Sequence, residues 1–110
     1  MAISTKQVEL TIKAWIDGKY RHTSAMHTDG CDIFSYALPL LVQDSNSFPH
    51  TYWLIADKPS ISHTTSQHYN QLVAALGQYG MRDVLDNGQP VNRVISRGGY
   101  RYDYKQVAMF

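Results

Sequence analysis

The fold turns on two stretches of sequence, CDIFSYALPLLV at residues 31–42 and TYWLIA at residues 51–56. In both, β-branched, aromatic and aliphatic side chains follow one another, the composition that fills a pleated surface. Pro39 falls inside the first run. Having no amide donor for a strand ladder, it marks a break, a bulge or an edge position. A polar connector at 43–49 joins the runs, so together they predict an antiparallel hairpin. Asp57-Lys58-Pro59-Ser60 closes the second strand, because proline and serine favour a turn there.

Beyond this hairpin the sequence reads as helix. Thr64 has the position of an N-cap and Gln67 completes a capping box, after which Tyr69, Leu72, Val73 and Leu76 form an apolar stripe. Gly77 and Gly80 limit the C-terminus of that helix. On the other side of the hairpin, Ser4 and Gln7 have capping-box spacing, and Ile3 and Val8 sit where a hydrophobic staple belongs. The predicted helix spans residues 5–16. Val8, Leu10, Ile12, Ala14 and Ile16 also satisfy strand alternation, so the caps decide the assignment. Asp17-Gly18 ends the helix, since glycine takes the left-handed conformation without a Cβ clash.

Residues 19–29 read as a polar loop leading to the turn signal Asp29-Gly30. Asn87-Gly88 is a second strong turn signal, flanked by Val84-Leu85 and by residues 91–95. After Gly98-Gly99, a strand would place Tyr100, Tyr102 and Tyr104 on one face and Arg101, Asp103 and Lys105 on the other. The expected fold class is α+β: a small antiparallel β-sheet packed against one or two helices, in one compact domain over residues 1–110.

Composition narrows the function classes. The 110 residues are 44% apolar and 17% charged, which suits a folded core. A formal net charge of +1 supplies no broad field for wrapping DNA and no acidic surface imitating it. One cysteine, Cys31, cannot form an internal disulfide, so a cytoplasmic location is the default expectation. The N-terminal stretch lacks the pattern of a signal peptide, and no window has the length of a membrane span, so no membrane contact is expected.

Candidate chemistry is sparse. His22, His27 and Cys31 invite a metal, yet there is no Cys-x-x-Cys pair and the spacing selects no fourth ligand among His50, His63 and Asp29. They read as solvated loop histidines beside a small hydrophobic cysteine at a strand start. His63 and His68 flank a helix start, where a neutral imidazole bonds backbone or a hydroxyl. No Walker motif, dinucleotide fingerprint or metalloprotease helix is present. The expectation is therefore no catalytic residue, no metal and no cofactor. The binding candidates are Arg93, Arg97, Tyr100, Arg101, Tyr102, Tyr104 and Lys105, because arginine and tyrosine dominate the energetic centres of protein interfaces. The same guanidinium and aromatic groups around Gly98-Gly99 also suit phosphate and base contact, which keeps a nucleic-acid-binding module as the alternative.

Thr28-Asp29-Gly30, Ser35-Tyr36 and Ser62-His63-Thr64-Thr65-Ser66-Gln67-His68 resemble an arrangement found in small uncharacterised phage, prophage and plasmid proteins: a T-D-G turn, a strand with S-Y, and a T-T-x-x-H helix entrance. The resemblance covers residues 28–72. It implies a mobile-element origin and, by analogy of context with anti-CRISPR proteins of this size, a protein that binds and inhibits a host protein complex such as a CRISPR effector. Oligomeric state is left open.

Overall fold

The computed structural model describes residues 5–22, 26–44, 51–56, 63–97 and 100–109. Along them run α1 (Thr5–Ile16), β1 (Arg21–His22), β2 (Met26–Thr28), β3 (Ile33–Ser35), β4 (Leu38–Asp44), β5 (Thr51–Ile55), α2 (His63–Gln78), β6 (Arg82–Asp83), β7 (Leu85–Asp86), β8 (Gln89–Pro90), β9 (Asn92–Arg97) and β10 (Tyr100–Ala108). The main sheet has the order β1-β2-β3-β4-β5-β10-β6, with β9 also on β10, while β7 and β8 form a separate hairpin. All pairings are antiparallel. The fold is α+β, with both helices packed on β3 and on each other.

The two deciding runs form the centre of this sheet. β4 and β5 pair with Leu41 opposite Leu54 and Val42 opposite Trp53. Consecutive residues are buried on both strands, Leu40-Leu41-Val42 and Trp53-Leu54-Ile55, so both faces are closed here and the unbroken apolar runs follow. The first run does break, but at Tyr36-Ala37, where Tyr36 takes a φ of 54°. Pro39 lies within β4 opposite Phe34, and Ile33 pairs with Leu41, so Leu40 is an extra, bulged residue. A bulge beside the proline is what its missing donor requires.

α1 buries Val8, Ile12 and Trp15, which share one face at helical spacing. Its end is a Schellman motif: Gly18, with φ 68°, donates to Trp15 O (3.1 Å) and Lys19 donates to Ala14 O (2.8 Å). α2 buries Leu72, Ala75 and Leu76 and ends the same way, Gly80 donating to Gly77 O and Met81 to Leu76 O. Gly77 is therefore inside the helix and Gly80 terminates it.

Three local expectations are corrected. α2 begins at His63, so Thr64 is its second residue and lies inside the helix. The polar stretch 19–29 holds two short strands, β1 and β2; polarity there reflects an outward-facing side of the hairpin, which a sequence reads as loop. Cys31 is exposed in the turn before β3. Ile3, Ser4 and the 57–60 turn lie outside the described residues, and Gln7 Oε1 accepts a bond from Arg21 (2.8 Å).

Polar joints seat the helices on the sheet. Thr28 Oγ1 accepts from the Gly30 amide (3.0 Å) and donates to Asp32 O (2.7 Å), and Asp29 Oδ1 accepts from the amides of Cys31 and Asp32. The turn so formed meets α1, whose Trp15 Nε1 donates to Cys31 O (2.7 Å). Gly30 has φ 93°, and a Cβ there would lie 2.6 Å from Gly18 O. Only glycine fits at that contact. Among the described residues, no helix is long and apolar enough to cross a membrane.

Candidate functional site

The outermost ribbon, β9 with β10, carries most of the predicted binding residues. β10 pairs β5 through Tyr104, Lys105, Gln106 and Val107, and Ala56 donates to Asp103 O. From Tyr100 to Tyr102, its described partner is β9 alone. β6 and β9 lie on the same side of β10, end to end, and the β7-β8 hairpin leaves the sheet between them. Val91 donates to Val84 O (3.2 Å) at the base of this hairpin. Asn87 and Gly88 at its tip have φ 53° and 78°, the two positive values a type I′ turn demands.

Register divides the ribbon into two faces. On one, Arg93 is the partner of Tyr104 and Ile95 the partner of Tyr102. The Arg93 guanidinium lies 5.4 Å from the Trp53 ring centroid and 3.3 Å from Asp44 Oδ2, while Ile95 and Tyr102 pack half-buried against the core. On the other face, Val94 opposes Asp103 and Ser96 opposes Arg101. All four are exposed, Val94 by 45%. Lys105 reaches Asp83 at 3.1 Å.

This placement sorts the predicted binding set. Arg93 and Arg101 are exposed and Tyr102 is partly so. Arg97 and Tyr100 are backbone partners, and Gly98-Gly99 lies outside the described residues. Lys105 is half-buried with its ammonium on Asp83. Tyr104 leaves the set: it is fully buried, its hydroxyl donates to Pro39 O, and it belongs to the core. A period of two correctly aligned Tyr102 and Tyr104 on one face, but depth along β10 decided that Tyr104 is covered by the sheet's centre. Sequence reasoning missed Val94, whose exposure follows from the alternation of β9, and the Trp53 and Asp44 partners of Arg93, which no local signal announces.

A second cluster brings Ser35, Tyr36, Thr65 and His68 together. Ser35 Oγ lies 2.7 Å from His68 Nδ1 and 3.4 Å from Thr65 Oγ1, and Tyr36 sets its ring 5.9 Å from the imidazole. The single Ser35 proton serves either His68 or Thr65. Burial lowers the His68 pKa, keeping the ring neutral. A serine beside a histidine has the composition of a nucleophile and its base. Here, however, Ser35 and His68 are 1% and 0% exposed, and His68 Nε2 has no partner among the described residues. The arrangement fastens α2 to β3.

The metal candidates do not form a ligand set among the described residues. His22 and His27 meet across β1 and β2 with tilted rings (5.2 Å), and each stacks on a further ring, His22 on Tyr20 and His27 on Phe34. Burial and the neighbouring His22 lower the His27 pKa, against the opposing pull of Asp29. Among the described residues, no three His, Cys, Asp or Glu side chains converge as ligands. No family model, curated protein or solved structure is significantly similar to this chain.

Proposed function

We propose that this is a small protein of a phage or other mobile element that binds a host protein complex and inhibits it by occupying its surface, with a CRISPR effector as one such target. The observation that carries the reading is the β9-β10 ribbon, which presents exposed Val94 and Arg101 on one face of a strand pair whose other face is held to the core through Ile95 and Tyr102. A rigid aliphatic and guanidinium surface is suited to protein contact. The serine and histidine that could suggest chemistry are instead consumed in a buried joint.

The test is affinity capture from nuclease-treated host lysate. A defined protein complex is expected on the wild-type chain, with about tenfold less on Arg101→Glu at unchanged melting temperature. Equal capture by the variant overturns the assignment of this surface. The rival nucleic-acid reading predicts instead that nuclease abolishes the material retained, and that Arg101→Ala flattens the salt dependence of RNA or DNA binding by about one counterion. Burial of Tyr104 and partial burial of Tyr102 weigh against that rival, because they leave less ring area for stacking bases.

A further inference from the structure

We infer that His22 and His27, opposed across β1 and β2, form a two-imidazole site for an exchangeable divalent transition-metal ion of the Ni2+, Cu2+ and Zn2+ class, with water in the remaining coordination positions. β1 lies at the opposite end of the main sheet's strand order from the β10 ribbon, so the site is separate from the proposed protein-binding surface. Spacing in the sequence does not pair these two histidines. Register does: His22 is the direct partner of His27, and His27 is in turn the partner of Phe34. Directly opposed residues have Cβ atoms within about 5.5 Å, close enough for both rings to reach one ion. Met26 and Thr28 are buried on the side that α1 covers, and alternation turns His27 to the other face, half-buried beside exposed His22.

Ring geometry carries the inference. Each imidazole lies within 9° of parallel to an outer ring, His22 to Tyr20 and His27 to Phe34. Between the imidazoles the row breaks, with planes tilted by 35° and centroids 5.2 Å apart. Two imidazoles on one ion, at metal–nitrogen distances of about 2 Å, hold their centroids about 4.5 Å apart at a right angle and about 5.2 Å apart at the tetrahedral angle. The pair therefore already has the spacing that a shared ion requires. The flanking rings restrict each imidazole, so less side-chain freedom is lost on binding. Exposed Asp29, two residues beyond His27, acts electrostatically on that ring, and its carboxylate favours a nearby dication. Imidazole nitrogen selects Ni2+, Cu2+ and Zn2+ over Mg2+ and Ca2+, which take oxygen ligands. Two protein ligands leave the site open, so the ion ties β1 to β2 without being needed for folding.

The probe is Ni2+ alone, titrated into the isotope-labelled full chain. Paramagnetic broadening should be confined to β1, β2 and their neighbours and saturate at one ion per chain, and Mg2+ should not compete. His22→Gln and His27→Gln should each weaken binding about tenfold or more, because the surviving imidazole loses a second ligand held at high effective concentration. Zn2+ should raise the melting temperature of the wild-type chain and not that of His22→Gln. His22 is exposed, so His22→Gln keeps the fold and decides even if His27→Gln unfolds. Cys31→Ser, and His50→Gln with His63→Gln, should bind Ni2+ as the wild-type chain does. Absence of saturable broadening in an excess of Ni2+, equal affinity of His22→Gln, loss of binding with either control, or an ion held between two copies of the chain overturns the site. Arg101→Glu should leave Ni2+ binding unchanged, and its effect on capture of a host complex judges the ribbon alone, so the two readings fail separately.

Discussion

Where α1 and α2 lie against β2 and β3, polar side chains bond within the fold: buried Thr28 and exposed Asp29 tie a turn together, and buried Ser35, Thr65 and His68 join helix to strand. On the β9-β10 ribbon the same kinds of group face outward, and the core reaches only as far as Ile95 and Tyr102. The difference teaches that hydrogen-bonding residues mark a contact surface only when the sheet leaves them uncovered. Substitutions in the first region should therefore act on stability, and those in the second on binding.

The largest effect is expected at Gly30. Gly30→Ala places a methyl against the Gly18 carbonyl at a positive φ, so α1 must lift from the turn at a cost of about 3 kcal/mol. Denaturant unfolding measures it; a loss no larger than that of an ordinary surface change would mean that the joint is loose.

Next comes His68. His68→Ala removes a buried ring and a hydrogen bond to Ser35 and should cost about 2 kcal/mol. Its pKa in the folded chain lies below the ordinary 6.5, so between those values the unfolded chain binds more protons. Stability is then fully present above 6.5 and declines as pH falls through the folded pKa. His27, lowered by burial and His22, acts in the same direction. Unfolding curves across this range should be flatter for His68→Ala, and an unchanged pH slope would show that this imidazole is not linked to folding.

The smallest effects sharpen the contrast. Thr64→Ala, at the second position of α2, should change stability by no more than about 0.5 kcal/mol, below the roughly 1 kcal/mol of a true N-cap. Arg101→Ala should likewise stay within about 0.5 kcal/mol while weakening partner binding. Unfolding by Arg101→Ala would place the ribbon with the core and erase the distinction between the two regions.

Much of the architecture was legible in local chemistry. α1 occupies the predicted residues because Val8, Ile12 and Trp15 recur at helical spacing and Gly18 supplies the left-handed C-cap. Asn87-Gly88 forms its turn because both residues accept positive φ, and the β4-β5 hairpin follows from two dense apolar runs. Alternation along β10 put Tyr102 and Tyr104 on one face. These features depend on neighbours within a few residues, and such neighbours are written in the sequence. What needed the tertiary structure was which polar groups are covered. Ser35 meets His68 across 33 positions, Arg93 meets Asp44 across 49, and the Tyr104 hydroxyl meets Pro39 across 65. No local spacing encodes such meetings, because sheet order and helix placement bring those residues together, and burial then fixes whether each group serves the fold or faces a partner.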